Sequence, residues 1–183
     1  MELNGSEQRY EALLEELSRE FPRFRLVRKP DSRTQRIIHY GLIGLTFGQM
    51  RDYLDNYHTT VGQTVYVTGD WANRDPDSRY ITLRHERVHM RQFRRFTLLG
   101  MAVLYLLVPL PIGLAYFRAR FEKEAYAESM RAACELHGRD HIEADRYRER
   151  ILRQFCGPSY LWMWPFRGHL NRWYDSILAE IPT

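Results

Sequence analysis

The spacing of hydrophobic residues at the start of the chain predicts an amphipathic helix. Ser6 can cap this helix, and Pro22 closes it. Its apolar positions recur three to four residues apart, at Tyr10, Leu13, Leu14 and Leu17. The chain is therefore expected to open with a helix that buries one face.

Three segments rich in β-branched and aromatic residues predict strands. FRLVRK at 24–29 and QRIIHYGLI at 35–43 flank the turn-forming PDSRT and are expected to pair as a hairpin. Thr46 can cap a helix that runs to about Tyr57, and QTVYVTG at 63–69 then alternates as a third strand does. The first half of the chain thus combines a small sheet with helices.

The second half of the chain predicts helices. One helix is expected from near Arg79 to about Phe96, and further helices are expected at 121–136, 142–155 and 168–180. The aromatic stretch GPSYLWMWPF at 157–166 is expected to pack into the core. Together these elements predict an α+β fold with a small N-terminal sheet and a helical C-terminal half.

The helix near the middle of the chain carries a pattern with chemical meaning. LRHERVHMRQF at 83–93 contains HExxH, with His85, Glu86 and His89. A four-residue step on a helix returns side chains to the same face, so His85 and His89 could hold one metal ion with Glu86 at its edge. This is the arrangement that a zinc hydrolase needs.

A zinc site of this kind needs a third protein ligand while a fourth position stays open to water. A glutamate on a following helix is a standard solution. The predicted downstream helix contains three glutamates, at Glu122, Glu124 and Glu128.

The order of short sheet, edge strand, HExxH helix and downstream helix with an E-x-x-A element resembles the gluzincin metallopeptidases. In its small size the chain resembles the minigluzincins, and the match covers roughly residues 24–130. The resemblance implies a zincin-like fold and Zn²⁺ bound by His85, His89 and a downstream glutamate, with Glu86 as general base. The strand TVYVT could then lie beside the cleft and pair with an extended peptide substrate.

The resemblance allows two choices for the third ligand. The E-x-x-A element begins at Glu122 in EKEA and at Glu124 in EAYA. Glu122 is preferred, because E-x-E-A is the commoner form of the element in the family. If Glu124 is the ligand instead, Glu128 lies one turn on, where its carboxylate could orient a ligand histidine.

The implied chemistry is peptide-bond hydrolysis. Zinc lowers the pKa of its bound water toward neutrality, and Glu86 can accept that proton and deliver it to the leaving amine. A donor to the tetrahedral oxyanion is also needed, and the candidates are Tyr126, Tyr160 and His169.

Three residues depart from the family pattern, and two of them, Arg87 and Arg91, support an alternative. Arg87 and Arg91 occupy positions that are usually uncharged or apolar, and Tyr126 replaces the expected Asp after E-x-x-A. These changes put proteolytic efficiency in doubt more than metal binding. The alternative is a non-catalytic zincin-like scaffold that attaches to a membrane or a partner.

The segment 97–117 has no charged residue over about the length that a bilayer requires. A straight helix of 20 of these residues would alone extend about 30 Å, since a helix rises about 1.5 Å per residue, and Glu122 could then not share an ion with His89. The chain must turn back, and Pro109 and Pro111 offer the turn because proline disfavours helix continuation. We expect a helical hairpin buried in the core, and the alternative is a peripheral membrane contact.

Composition and charge narrow the remaining possibilities. A chain of 183 residues with 44% hydrophobic residues fits one domain, 1–183, with the apolar hairpin inserted. The net charge of +4 comes from scattered arginines, which indicates a solvated surface and no nucleic-acid groove. An acidic N-terminus without an apolar block predicts no export signal. A cytoplasmic protein is expected, and association with a membrane is the alternative.

Two smaller features are given ordinary roles. His137 and His141 also lie four apart, but Gly138 stands between them and no carboxylate occupies the base position, so they are expected at the surface. Cys134 and Cys156 are too few for a disulfide framework, and Cys156 is expected to fill space.

Overall fold

The first helix follows the predicted spacing of apolar residues. In the computed structural model, which describes residues 5–31, 58–102, 116–157 and 163–182, helix α1 spans Gly5–Glu20. Tyr10, Leu13 and Leu17 are its buried side chains, as predicted. Because the helix begins at Gly5, Ser6 lies in its first turn and does not precede it as a cap residue would.

Within the described residues the sheet contains three strands, β1 (Arg25–Arg28), β2 (Thr59–Val61) and β3 (Thr64–Val67). Their spatial order is β1, β3, β2. β1 and β3 lie within predicted segments and pair in parallel, with Leu26 opposite Val65. β2 was not predicted, and it joins β3 in an antiparallel hairpin whose turn contains Gly62, at a positive φ of 64° that suits glycine.

The expectation that TVYVT is a free edge strand that pairs with an extended substrate is wrong. β3 is the central strand, because β1 and β2 pair with its two sides and leave no free edge for a peptide. β2 lies at one edge of the described sheet. The predicted hairpin partner at 35–43 and the helix from Thr46 lie outside the described residues.

The long helix α2 (Pro76–Ala102) carries the HExxH pattern. It begins before the predicted start near Arg79, because Asp75 caps it: the backbone N–H of Ser78 donates to Asp75 Oδ1 at 2.8 Å. Thr97 has non-helical torsions (φ 62°, ψ 168°), so the regular helix stops close to the predicted end at Phe96.

The chain divides into two compact units inside helix α2. The units are Met1–Glu86 and Arg87–Thr183, and the helix runs through the point of division. The expectation of a single domain stays a prediction.

The described part of the second unit continues with four helices. They are α3 (Tyr116–His137), α4 (Arg139–Glu143), α5 (Asp145–Cys156) and α6 (Arg167–Glu180). Helices α3, α5 and α6 match predicted helices, although α5 begins at Asp145 and not at the predicted residue 142. The short helix α4 was not predicted. The described residues are thus mostly helical with a small mixed sheet, an α+β architecture, and the zincin-like arrangement stays a prediction.

The core of the second unit uses side chains from several of its helices. Its fully or almost fully buried residues include Met130, Ile151, Phe155, Leu170 and Tyr174. The Tyr174 hydroxyl donates to the Ile142 carbonyl at 2.6 Å, which satisfies a buried polar group. Within the aromatic stretch Met163 is buried but Phe166 is 52% exposed, so the core prediction holds for only part of it.

Most of the apolar segment 97–117 lies outside the described residues, including Pro109 and Pro111. The predicted hairpin therefore stays a prediction. Among the described helices, none combines the length and the apolar character needed to cross a membrane.

Candidate metal site and its buried surroundings

Helix α2 places the HExxH residues on its packed side. Leu83 and Met90 are fully buried and anchor the helix on either side of the motif. Glu86 and His89 are 5% and 8% exposed, and His85 is half-buried. The helical spacing that put apolar residues in the core therefore carries ionisable side chains there as well.

Glu122 on helix α3 lies next to the second histidine of the motif. Its carboxylate is 3% exposed, and its Oε1 atom is 3.7 Å from His89 Nε2. That distance is too long for a hydrogen bond. Two ligand atoms about 2.1 Å from a tetrahedral zinc ion stand roughly 3.4 Å apart, so the observed spacing is near the one that a shared ion would require.

Three potential ligands converge on one side of helix α2. One ligand atom each from His85, His89 and Glu122 lie within 4.8 Å of one another. Two imidazoles and a carboxylate form a donor set that zinc accepts. The residues present therefore fit a zinc ion, although their role as ligands stays a prediction.

The two candidate glutamates face different neighbours. Glu124 is exposed, its Oε2 accepts a hydrogen bond from Gln92 Nε2 at 2.9 Å, and its Oε1 is 3.9 Å from Arg120 Nε. If Glu124 were the ligand, Glu128 was expected to orient a ligand histidine. Glu128 instead forms an ion pair with Arg131 at 3.9 Å. Glu122 is the glutamate that the structure brings to His89.

A threonine on strand β2 contacts the predicted general base. Thr60 Oγ1 donates to Glu86 Oε2 at 2.7 Å, and both side chains are buried. Strand β2 thus lies beside Glu86. The alternation in TTVGQTVYV around a Gly turn was the signal for β2, but no local pattern linked Thr60 to Glu86.

Two further titratable groups with lowered pKa values, the buried Lys29 and the half-buried His58, belong to the first unit. Burial lowers the pKa of Lys29 to about 7, and the Glu86 carboxylate partly opposes the shift. Burial also lowers the pKa of His58 to about 4, with Glu86 opposing and Arg74 adding to the change. The Arg74 guanidinium is 3.0 Å from His58 Nε2, which must accept since arginine only donates. Sequence patterns pointed to neither residue.

The lowered pKa of Lys29 predicts that the stability of the folded protein depends on pH. Its pKa is about 7 in the folded protein and 10.5 ordinarily, so between these values the unfolded chain binds more protons. The contribution of Lys29 to the free energy of unfolding is therefore lowest below pH 7. Between pH 7 and 10.5 it rises with pH by at most about 1.4 kcal/mol per pH unit. Chemical unfolding of metal-free protein across this range should show the rise, and Lys29→Met should flatten it.

The control for this prediction is Arg28→Met, which changes an exposed neighbouring cation that does not titrate in this range. It should keep the wild-type slope. Equal slopes for wild type and Lys29→Met would show that Lys29 is protonated in the folded protein.

The candidate oxyanion donors lie in different surroundings. Tyr126 packs its ring against Phe155, with centroids 5.4 Å apart. His169 is exposed, and its Nδ1 accepts from Trp164 Nε1 at 3.2 Å and lies 3.0 Å from Lys123 Nζ. Tyr160 lies outside the described residues. The oxyanion donor stays a prediction with these three candidates.

The second histidine pair lies where it was expected, whereas Cys156 is less buried than expected. His137 and His141 are both exposed, with ring centroids 4.8 Å apart, which confirms their surface position. Cys156 is only partly buried, and its thiol donates to the Trp164 carbonyl at 3.4 Å. Burial raises the pKa of this thiol, which disfavours the reactive thiolate.

No family model, curated protein or solved structure matches this chain significantly. The resemblance to the gluzincins therefore stays a prediction. It depends on the motif and on the order of elements around it.

Proposed function

We propose that the protein is a zinc-dependent hydrolase, and specifically a metallopeptidase that cleaves extended peptides. The observation that carries the proposal is the approach of Glu122 Oε1 to His89 Nε2, at 3.7 Å, on the side of helix α2 that also bears His85. These three residues would hold the ion. Burying a carboxylate beside an imidazole costs desolvation free energy unless a shared cation or proton compensates the charge.

The residues of this chain divide the chemistry among them. A bound zinc ion supplies a Lewis acid that polarises a carbonyl and acidifies water. Glu86 accepts a proton from the attacking water as its oxygen adds to the peptide carbonyl carbon. When the C–N bond breaks, Glu86 returns that proton to the leaving nitrogen. The hydrogen bond from Thr60 holds one oxygen of the carboxylate, so the other remains for this transfer.

The first test of the proposal is metal content. Protein purified without added metal should carry about one zinc per chain by elemental analysis, and His85→Ala with His89→Ala should lose it. The matched control is His137→Ala with His141→Ala, which removes two exposed histidines at the same spacing and should keep the zinc. Equal, sub-stoichiometric zinc in wild type and the His85/His89 double variant would mean that the site does not exist.

A specific observation also supports the alternative, a zincin-like scaffold without activity that binds a membrane or partner through 97–117. Leu99 is 76% exposed and Tyr116 is 52% exposed, and these large apolar residues lie at the two described ends of that segment. Zinc-loaded protein that cleaves no peptide but sediments with lipid vesicles would favour this alternative.

A further inference from the structure

A glutamine one turn after His89 links that histidine to helix α3. Gln92 is 4% exposed, and its Oε1 lies 2.9 Å from His89 Nδ1. Its Nε2 donates to the Phe121 carbonyl at 3.2 Å and to Glu124 Oε2 at 2.9 Å. All the polar atoms of this buried amide are therefore engaged.

These contacts determine which way the amide points. The two groups on the Nε2 side are a carbonyl and a carboxylate, and both only accept hydrogen bonds. Turning the amide over would set its oxygen against two acceptors, so Oε1 must face His89. An oxygen at 2.9 Å from Nδ1 requires Nδ1 to carry the hydrogen.

The tautomer of His89 follows from this arrangement. A neutral imidazole has one N–H, so a hydrogen on Nδ1 leaves the lone pair on Nε2. Nε2 is the atom 3.7 Å from Glu122 Oε1. The nitrogen with the lone pair is thus the one directed at the carboxylate, as metal binding requires.

We propose that Gln92 is a positioning residue that holds His89 with its Nε2 lone pair toward Glu122, and that Glu124 holds Gln92 in turn. This inference rests on the proposed zinc site and assigns the second glutamate a role in it. Glu124 reaches Gln92 from the exposed side of helix α3, with Arg120 3.9 Å from its other oxygen. Glu122 and Glu124 therefore have different roles, as direct ligand and as support.

The tautomer can be measured without metal. Long-range ¹H–¹⁵N NMR of the metal-free protein at alkaline pH should show His89 with its hydrogen on Nδ1, and Gln92→Met should remove that preference. Gln154→Met, the same change at a partly buried glutamine of helix α5, should leave it unchanged. A wild-type His89 with its hydrogen on Nε2 would overturn the assignment.

Zinc affinity provides the second readout. By chelator competition, Gln92→Met and Glu124→Ala should each weaken zinc binding about 10- to 100-fold, the range typical of residues that orient a ligand. Glu124→Gln keeps an acceptor for Gln92 and should restore most of the affinity. The Gln92→Met, Glu124→Ala double variant should be little weaker than either single variant, because both changes break one chain of contacts.

Two further outcomes separate the positioning role from the zinc site itself. Unchanged zinc affinity in Gln92→Met, or additive losses in the double variant, would overturn the role of Gln92. A wild-type protein that binds no zinc would instead defeat the proposed function, and the NMR result would still decide whether Gln92 sets the tautomer of His89.

Discussion

Replacing Glu86 by Gln is expected to reduce peptide hydrolysis by about 100- to 10,000-fold, the contribution typical of a general base. Gln has nearly the same shape, and its carbonyl oxygen can still accept the hydrogen bond that Thr60 gives to Glu86 Oε2. The fold and the metal should therefore stay. Cleavage of a mixed fluorogenic peptide library, together with elemental analysis of the same sample, measures both quantities.

Thr60→Val is the companion variant for this prediction. It removes the hydroxyl that orients Glu86 but leaves the base in place, so zinc should stay and the rate should fall far less than in Glu86→Gln. Loss of zinc in Glu86→Gln would assign Glu86 to the metal and not to the proton transfer. Full activity in that variant would remove Glu86 from the mechanism.

Replacing Glu122 by Ala is expected to weaken zinc binding by more than about 100-fold, beyond the range of residues that only orient ligands. The reason is geometric, since Glu122 Oε1 lies 3.7 Å from His89 Nε2 whereas Glu124 is bonded to Gln92. Glu124→Ala should therefore weaken binding less. Competition with a zinc chelator of known affinity gives the ranking directly.

Glu135→Ala is the matched control for the two glutamates. It makes the same substitution on the same helix at an exposed position and should leave zinc affinity unchanged. The reverse ranking of the first two variants would move the third ligand to Glu124. Equal losses in all three would point to damage to helix α3.

Local sequence patterns predicted the elements that depend on neighbouring residues. Helical spacing of apolar residues predicted α1 and its buried residues, and it placed most of the C-terminal helices close to their observed bounds. β-Branched and aromatic content predicted β1, and alternation predicted β3. The HExxH pattern was equally local, since a four-residue step on any helix brings His85 and His89 to one face.

The predicted ends of helices and strands were less accurate, because two local signals were missed. Helix α2 begins at Pro76 because Asp75 caps it, so the Asp-Pro pair was the usable signal. The hairpin of β2 and β3 was signalled by Gly62 between two alternating segments.

The sequence by itself determined the helical periodicity, the HExxH face and a short set of candidate glutamates. Only the tertiary structure decided that β3 is central, because strand order depends on pairings between distant segments. It also distinguished Glu122 from Glu124: residues two apart on a helix point about 200° from each other, so the rotation of helix α3 against its neighbours selects which one meets His89. The contacts of Gln92 and Thr60 have the same origin, since packing joins groups that are 32 and 26 residues apart in the chain.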